Sequence, residues 1–269
     1  MKKIKGYYML KCNLHTHFIE HHGEHPEIMV DAYHDAGYDC IALTDHFDKI
    51  DDLSLEIRAQ KYAEEKYGDD FLVLIGLELA LPDRDYPGSM RHVVGLFLKK
   101  HIPKEIFREN MDLDTSLNIA LNEIHSQDGV AVVVHDHRCL SHWEGEGKPD
   151  WIWDHRKGKE IDAWEVGNGS GYYENLPDGS NCMLSHPLES VNEGYIVVAD
   201  SDAHDTKEMK KKNICYTYVY VKEQTISGVK EALMGRRTVA SCNGLLYGQE
   251  EYIDLAKKEG EILDLRMAE

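Results

Sequence analysis

What most constrains this chain is a set of short apolar runs that end in histidine or acid. Six of them, spread over nearly two hundred residues, close in His15-Thr16-His17, Asp45-His46, Glu78, His135-Asp136-His137, Glu165 and Asp200-Ser201-Asp202-Ala203-His204. A further run begins with Arg91-His92. Any one of these has an ordinary reading: a surface histidine pair, a glutamate capping the next segment, a buried histidine bonded to backbone. Together they form a pattern that packing does not require. Buried charges without partners cost several kcal/mol each, so such a cluster is tolerable only around cations. In an extended chain residues two apart face the same side, so His15 and His17 can share one ion.

The runs read as strands at Tyr7–His15, Cys40–Thr44, Phe71–Leu79, Arg91–Leu98, Val130–His135, Ala163–Val166, Tyr195–Ala199 and Ile214–Val221. Helical patterns lie between them at Pro26–Ala36, Leu53–Tyr67, Thr115–Gln127, Trp151–Lys157 and Thr225–Met234. Pro26 at a first helical turn, and Gly37, Gly68 and Gly129 just past helix ends, punctuate them as capping predicts. This alternation predicts an α/β architecture with a mainly parallel sheet, closed or distorted into a barrel. Parallel strands bring their C-terminal ends to one rim, where the imidazoles and carboxylates would meet. His92 begins its strand, so it reaches that rim only if its strand runs antiparallel or the barrel is distorted. No linker or repeat interrupts the pattern, which gives one domain over 1–248 and an acidic helical tail over 249–269.

Lysine plus arginine against aspartate plus glutamate leaves a net charge of −19, which disfavours a partner as long and anionic as nucleic acid. No segment has the apolar length of a membrane span, and the start turns polar too early for a signal peptide, so a cytoplasmic location is expected. The six cysteines are scattered without a CxxC and read as reduced, buried thiols.

The segments NLHTHF, ALTDHF, GLEL, RHVVGLFL, VVVHDH and VADSDAH, in this order, resemble the motifs of the PHP (polymerase and histidinol phosphatase) family of metal-dependent phosphoesterases. KEALMGRRTVAS resembles the helix and turn that follow the barrel in many members, so the likeness runs over about residues 7–242. The resemblance implies a distorted, TIM-like barrel of seven strands holding two or three divalent ions at its C-terminal rim. It implies that His15, His17 and Asp202 hold the first ion, that Glu78 bridges to a second completed by His92 and His135, and that His46 and His204 hold a third. The run His17-Phe18-Ile19-Glu20-His21-His22-Gly23 places His22 where many members have an aspartate, and His21 or His25 could serve instead. Asn13 stands where an aspartate is usual, and could still orient a metal histidine by a hydrogen bond. A shell so rich in imidazole suits zinc, with manganese or iron as substitutes.

The function expected is hydrolysis of a phosphate mono- or diester of a small metabolite or nucleotide by a water that bridges the ions. Asp202 or His204 would accept its proton. Arg138 and His137 are candidate contacts to the substrate phosphate, with Arg91 and Arg156 behind them. Asp45 is expected to orient His46, while Glu165 and Asn168 stand at the rim with no role forced. Loops carrying Trp143, Tyr172 and Tyr173 would set substrate choice. A metal-dependent amide or ester hydrolase, and a histidinol phosphatase-like enzyme, are the alternatives. A closed structural zinc site, with four ligands, would not need an acid or histidine at every strand end.

Overall fold

The computed structural model describes residues 3–18, 25–85, 91–108, 110–136, 152–169, 183–212 and 214–266. Parallel strands β1 (Tyr8–Thr16), β2 (Cys40–Leu43) and β3 (Leu72–Ala80) form one half of the central sheet. β4 (His92–Leu96) runs antiparallel to both β3 and β5 (Val130–Val134), which is one of the two arrangements that the position of His92 allowed. β6 (Ala163–Asn168) and β8 (Ile196–Asp200) continue in parallel with β5, and the short β7 (Met183–Leu184) flanks β6.

The sheet then curves back on itself. Leu14 N donates to Asp200 Oδ1 (2.6 Å), Asp202 N to the His15 carbonyl (3.0 Å) and His17 N to the Ala203 carbonyl (2.8 Å). The seam between β1 and β8 is thus made partly by a carboxylate, and the barrel is nearly closed. The expected count of seven strands does not hold: among the described residues the sheet has eleven. Beyond β1 it extends outward through β9 (Cys215–Val221), β10 (Thr238–Cys242) and β11 (Leu245–Gly248), each antiparallel to its neighbour.

Alternation along the strands sorts the core into two layers. Leu10, Cys12, Leu72, Leu74, Val94, Leu96, Val130, Val132, Ile196 and Val198 pack with Val229, Ala232 and Leu233 of α7 (Ile226–Met234). Lys230 of that helix reaches Asp128, just before β5, so α7 lies at the end where the parallel strands start. The alternate residues, among them Val93, Ala131, Val133 and Trp164, pack with α3 (Leu113–Ser126). Asp112 caps α3 by accepting from Thr115 N (2.9 Å), and Thr225 caps α7 through Gly228 N (3.0 Å). α1 (Pro26–Asp35) and α2 (Ser54–Tyr67) cover the outer side of β2 and β3 through Met29, Tyr33, Ala59 and Ala63. The remaining helices are α4 (Ile152–His155), α5 (Pro187–Glu193), α6 (Thr206–Lys212) and α8 (Glu250–Arg266). The start of α8 packs on the sheet, with Tyr252, Leu255 and Ala256 buried against Tyr220 and Val239. Cys12 and Cys40 are buried free thiols, and Cys215 is buried with its Sγ 3.0 Å from Cys242 Sγ. Cys242 is disulfide-bonded, contrary to the reading of every cysteine as reduced.

Candidate metal centre

Breaks in strand regularity at the ends of β1, β5 and β8 aim the candidate ligands inward. The register between β1 and β2 shifts between Asn13 and Thr16, so the side-chain phase set by Leu10, Cys12 and Leu14 changes before His15 and His17. After β5 and β8 the backbone turns into the left-handed region, at φ 35° for His135 and φ 50° for Asp202. Glu78 needs no such device, because it already shares the phase of Leu72 and Leu74.

These residues converge on one carboxylate. Glu78 Oε1 lies 2.6 Å from His92 Nδ1, 2.8 Å from His135 Nε2 and 3.4 Å from His15 Nε2. Its Oε2 lies 3.1 Å from His46 Nδ1 and 3.2 Å from His17 Nε2. Asp202 Oδ1 stands 3.4 Å from His17 Nε2 and 3.7 Å from His15 Nε2, and those two nitrogens are 3.2 Å apart. Donor atoms held about 2.1 Å from one ion stand about 3.0–3.4 Å from one another, so the spacing is that of a coordination shell. The chemistry also fits a cation. Glu78 Oε2 makes no hydrogen bond despite its imidazole neighbours, and His17 Nδ1 and His135 Nδ1 are buried without one. Among the described residues four groups of three donors could each hold an ion: His15, His17 and Glu78; His15, His135 and Asp202; His46, Glu78 and His92; His17, His46 and His204. The last three depart from the expected partition, since His135 sides with His15 and Asp202, His46 sides with Glu78 and His92 as well as with His204, and His17 stacks on both His46 and His204.

The proton balance shows how strongly charged the cluster is. Burial pushes the Glu78 carboxyl up, but the imidazoles of His92, His46 and His15 outweigh it and hold the group well below the usual carboxylate range. Burial opposes a charge on His17, yet Asp202 and Glu78 raise it to about 9. His15 is likewise raised by Glu78, Asp202 and Glu165 against its burial. His46 goes the other way, to about 3, because burial dominates there.

Some sequence expectations place residues elsewhere. Arg91 is buried in an ion pair with Asp83, and Arg156 pairs with Glu193 through two nitrogens (2.6 and 2.8 Å) while covering the Trp153 ring. Asn13 does not orient a histidine ring. Its Nδ2 donates to Ser201 Oγ (2.7 Å) and its Oδ1 accepts from His15 backbone N (3.3 Å), which pins the barrel seam. Asp45 Oδ1 accepts from Phe18 N (3.0 Å) and so shapes the turn after β1. His25 sits just before α1, facing Arg58 at 3.4 Å. His21, His22, His137, Arg138, Trp143, Tyr172 and Tyr173 lie outside the described residues. Glu165 has a partner set that its sequence position did not reveal: it accepts from His15 Nδ1 (3.0 Å), His135 N (2.8 Å) and Asn168 Nδ2 (2.8 Å).

No family model matches the chain, and no curated protein matches it. Among solved structures it is similar to a two-domain protein from Bacteroides vulgatus that contains a predicted PHP-like metal-dependent phosphoesterase. That match has a TM-score of 0.69 at 22% identity and covers 94% of this chain and 70% of that one. The chain shares that protein's fold. It is also similar to PsfC from Pseudomonas syringae (TM-score 0.50, 14% identity, 96% of this chain and 99% of that one). A third structure, an amidohydrolase from Chromobacterium violaceum with bound sulfate and no metal, matches with a TM-score of 0.48 at 15% identity over 72% of this chain and 87% of that one.

Proposed function

We propose that this chain is a metal-dependent hydrolase of phosphate mono- or diesters of a small metabolite or nucleotide. The observation that carries the reading is Glu78, a buried carboxylate set among five imidazoles from β1, β4 and the segments after β2 and β5. His15, His17, Asp202 and Glu78 would hold one divalent ion, and Glu78, His92 and His135 a second. His46 and His204 would hold a third with His22, and His17 lies beside that pair. Such ions, zinc first by donor chemistry, supply an activated water and neutralise the phosphoryl oxygens.

The chain's own residues would do the rest. His204 Nδ1 lies 3.1 Å from the Asp202 carbonyl, which can only accept, so this contact favours the tautomer with the proton on Nδ1 and Nε2 as the donor atom to an ion. The Asp202 carboxylate would take the proton released by the attacking water, and His204 would do so only where it does not hold the third ion. His46 and His204 are part-exposed while His15, His17, Glu78 and Asp202 are buried, so substrate would reach the cluster from their side. Arg138 and His137 would bind its phosphate, and the charge of −19 favours small substrates over long nucleic acid.

The test is metal analysis of the purified protein, followed by turnover of a panel of phosphate monoesters, phosphodiesters, amides and carboxylic esters with zinc or manganese. Two or three ions per chain, with phosphate esters cleaved at least about a hundredfold faster than the rest, is expected. Amide cleavage without phosphoesterase activity would refute the substrate class. Ion-free protein that binds no added metal would refute the centre.

A further inference from the structure

We infer that Glu165 is a positioning residue: one buried carboxylate that sets the ring of His15 and the backbone of His135 for metal binding. The inference rests on the metal-dependent reading and adds to it a residue outside the ligand set.

The local backbone explains how Glu165 reaches both. In a regular strand residues three apart face opposite sides, which would separate Glu165 from Asn168. The pairing of β6 with β8 shifts register between Glu165 and Gly167, and the extra residue restores the two side chains to one face. Asn168 Nδ2 can then donate to Glu165 Oε2 at 2.8 Å. The same oxygen accepts from His135 N at 2.8 Å, while Oε1 accepts from His15 Nδ1 at 3.0 Å. Gly167 makes room for the bulge, since a Cβ there would lie 2.9 Å from Cys242 Cβ and 3.0 Å from its Sγ.

Each contact has a chemical consequence. A carboxylate oxygen accepts from an imidazole N–H, so this contact favours a proton on His15 Nδ1 and turns Nε2 toward His17 Nε2, Glu78 and Asp202. His135 holds φ 35°, which a residue with a side chain adopts only when its surroundings enforce it. The bond from its N–H to Glu165 is one such restraint, and Nε2 contacting Glu78 at 2.8 Å is the other end of the residue. Glu165 therefore links a candidate ligand of the first ion to one of the second.

Glu165→Gln keeps the shape but replaces one acceptor oxygen with an NH2 donor. If the NH2 faces His15, the imidazole must accept at Nδ1 and move its proton to Nε2, which blocks that donor atom. If it faces the other way, His135 N loses its acceptor. Either arrangement should weaken at least one ion by about ten- to a hundredfold. Zinc and cobalt binding would be measured by competition with a chelator in wild type, Glu165→Gln and Asn168→Ala, beside melting of the ion-free proteins and the His15 ring tautomer by 15N NMR. We expect weaker binding in Glu165→Gln, a smaller loss of the same sign in Asn168→Ala, ion-free melting close to wild type, and an Nδ1-protonated His15 in wild type. Binding as tight as wild type in both variants, or a wild-type His15 protonated on Nε2 alone, would overturn the inference. A wild type that binds neither metal would overturn the metal-dependent reading instead, while the tautomer would still decide whether Glu165 sets His15.

Discussion

Replacing Glu78 with glutamine tests the centre at the point where its parts meet. The side chain keeps its length but loses the charge and one of two acceptor oxygens. In the structure the two oxygens serve different neighbours, Oε1 facing His92, His135 and His15, and Oε2 facing His46 and His17. A glutamine oxygen can serve one ion, so the other must lose a ligand, and both lose a counter-charge. Even groups that only brace a ligand matter about ten- to a hundredfold in metal affinity, and a direct ligand shared by two ions should matter at least as much. The expectation is loss of about one metal equivalent per chain in Glu78→Gln, and a fall in phosphoesterase turnover of at least roughly a hundredfold, about 2.7 kcal/mol in the barrier. Metal content by elemental analysis and turnover of a chromogenic aryl phosphate would be read on the same samples. Turnover within about threefold of wild type, in protein carrying its full metal complement, would refute the shared-ligand argument.

Three further outcomes can be checked. Glu56 is buried on α2, its oxygens make no hydrogen bond, and burial with Asp45 nearby raises it to about 8. The fold therefore favours its neutral form: the stabilisation is full below the unfolded pKa of 4.5 and is lost as pH rises through 8. Glu56→Gln should thus melt several degrees higher than wild type at pH 9 and no higher at pH 5, and equal melting at both would contradict this. Gly167→Ala should lower stability by roughly 1–3 kcal/mol through overpacking on Cys242, read as a fall in melting temperature, and an unchanged melt would show that the bulge has slack. His22→Ala should remove about one metal equivalent in zinc-buffered solution and leave the others bound. An unchanged count would leave the third ion to His17, His46 and His204, whose donor atoms already lie within 4.8 Å of one another.

Much of this was legible because a strand has a direction and a period. His15, His46, Glu78, His135 and Asp202 stand at or just past the ends of parallel strands, so a sheet that curves must bring them together. The start position of His92 likewise allowed either a distorted barrel or the antiparallel β4 that the structure has. The outward extension was less visible. Thr238–Cys242 is five residues, all buried, without the alternation that marks a half-exposed strand, and it follows a helix closely enough to read as that helix's turn. Nothing in such a run tells the reader that it continues the sheet past β1.

Sequence adjacency misled where backbone groups needed partners. Asn13 and Asp45 each stand next to or near a candidate ligand, which invited a role in orienting its ring. A buried N–H without an acceptor is costly, and Asn13 meets that need at His15 N rather than at a ring, while Asp45 accepts from Phe18 N. Glu165 is the reverse case. It is three residues from Asn168, a separation that argues against contact in a strand, and thirty and a hundred and fifty from His135 and His15. Only the bulge at Val166 and the left-handed turn at His135 bring these partners together. The candidate centre therefore depends on departures from strand geometry as much as on the strands: regular pairing delivers the side chains to one rim, and the irregular residues decide which way they point. Periodicity can reveal the first of these in a sequence, whereas the second arises from contacts between segments that the sequence keeps far apart.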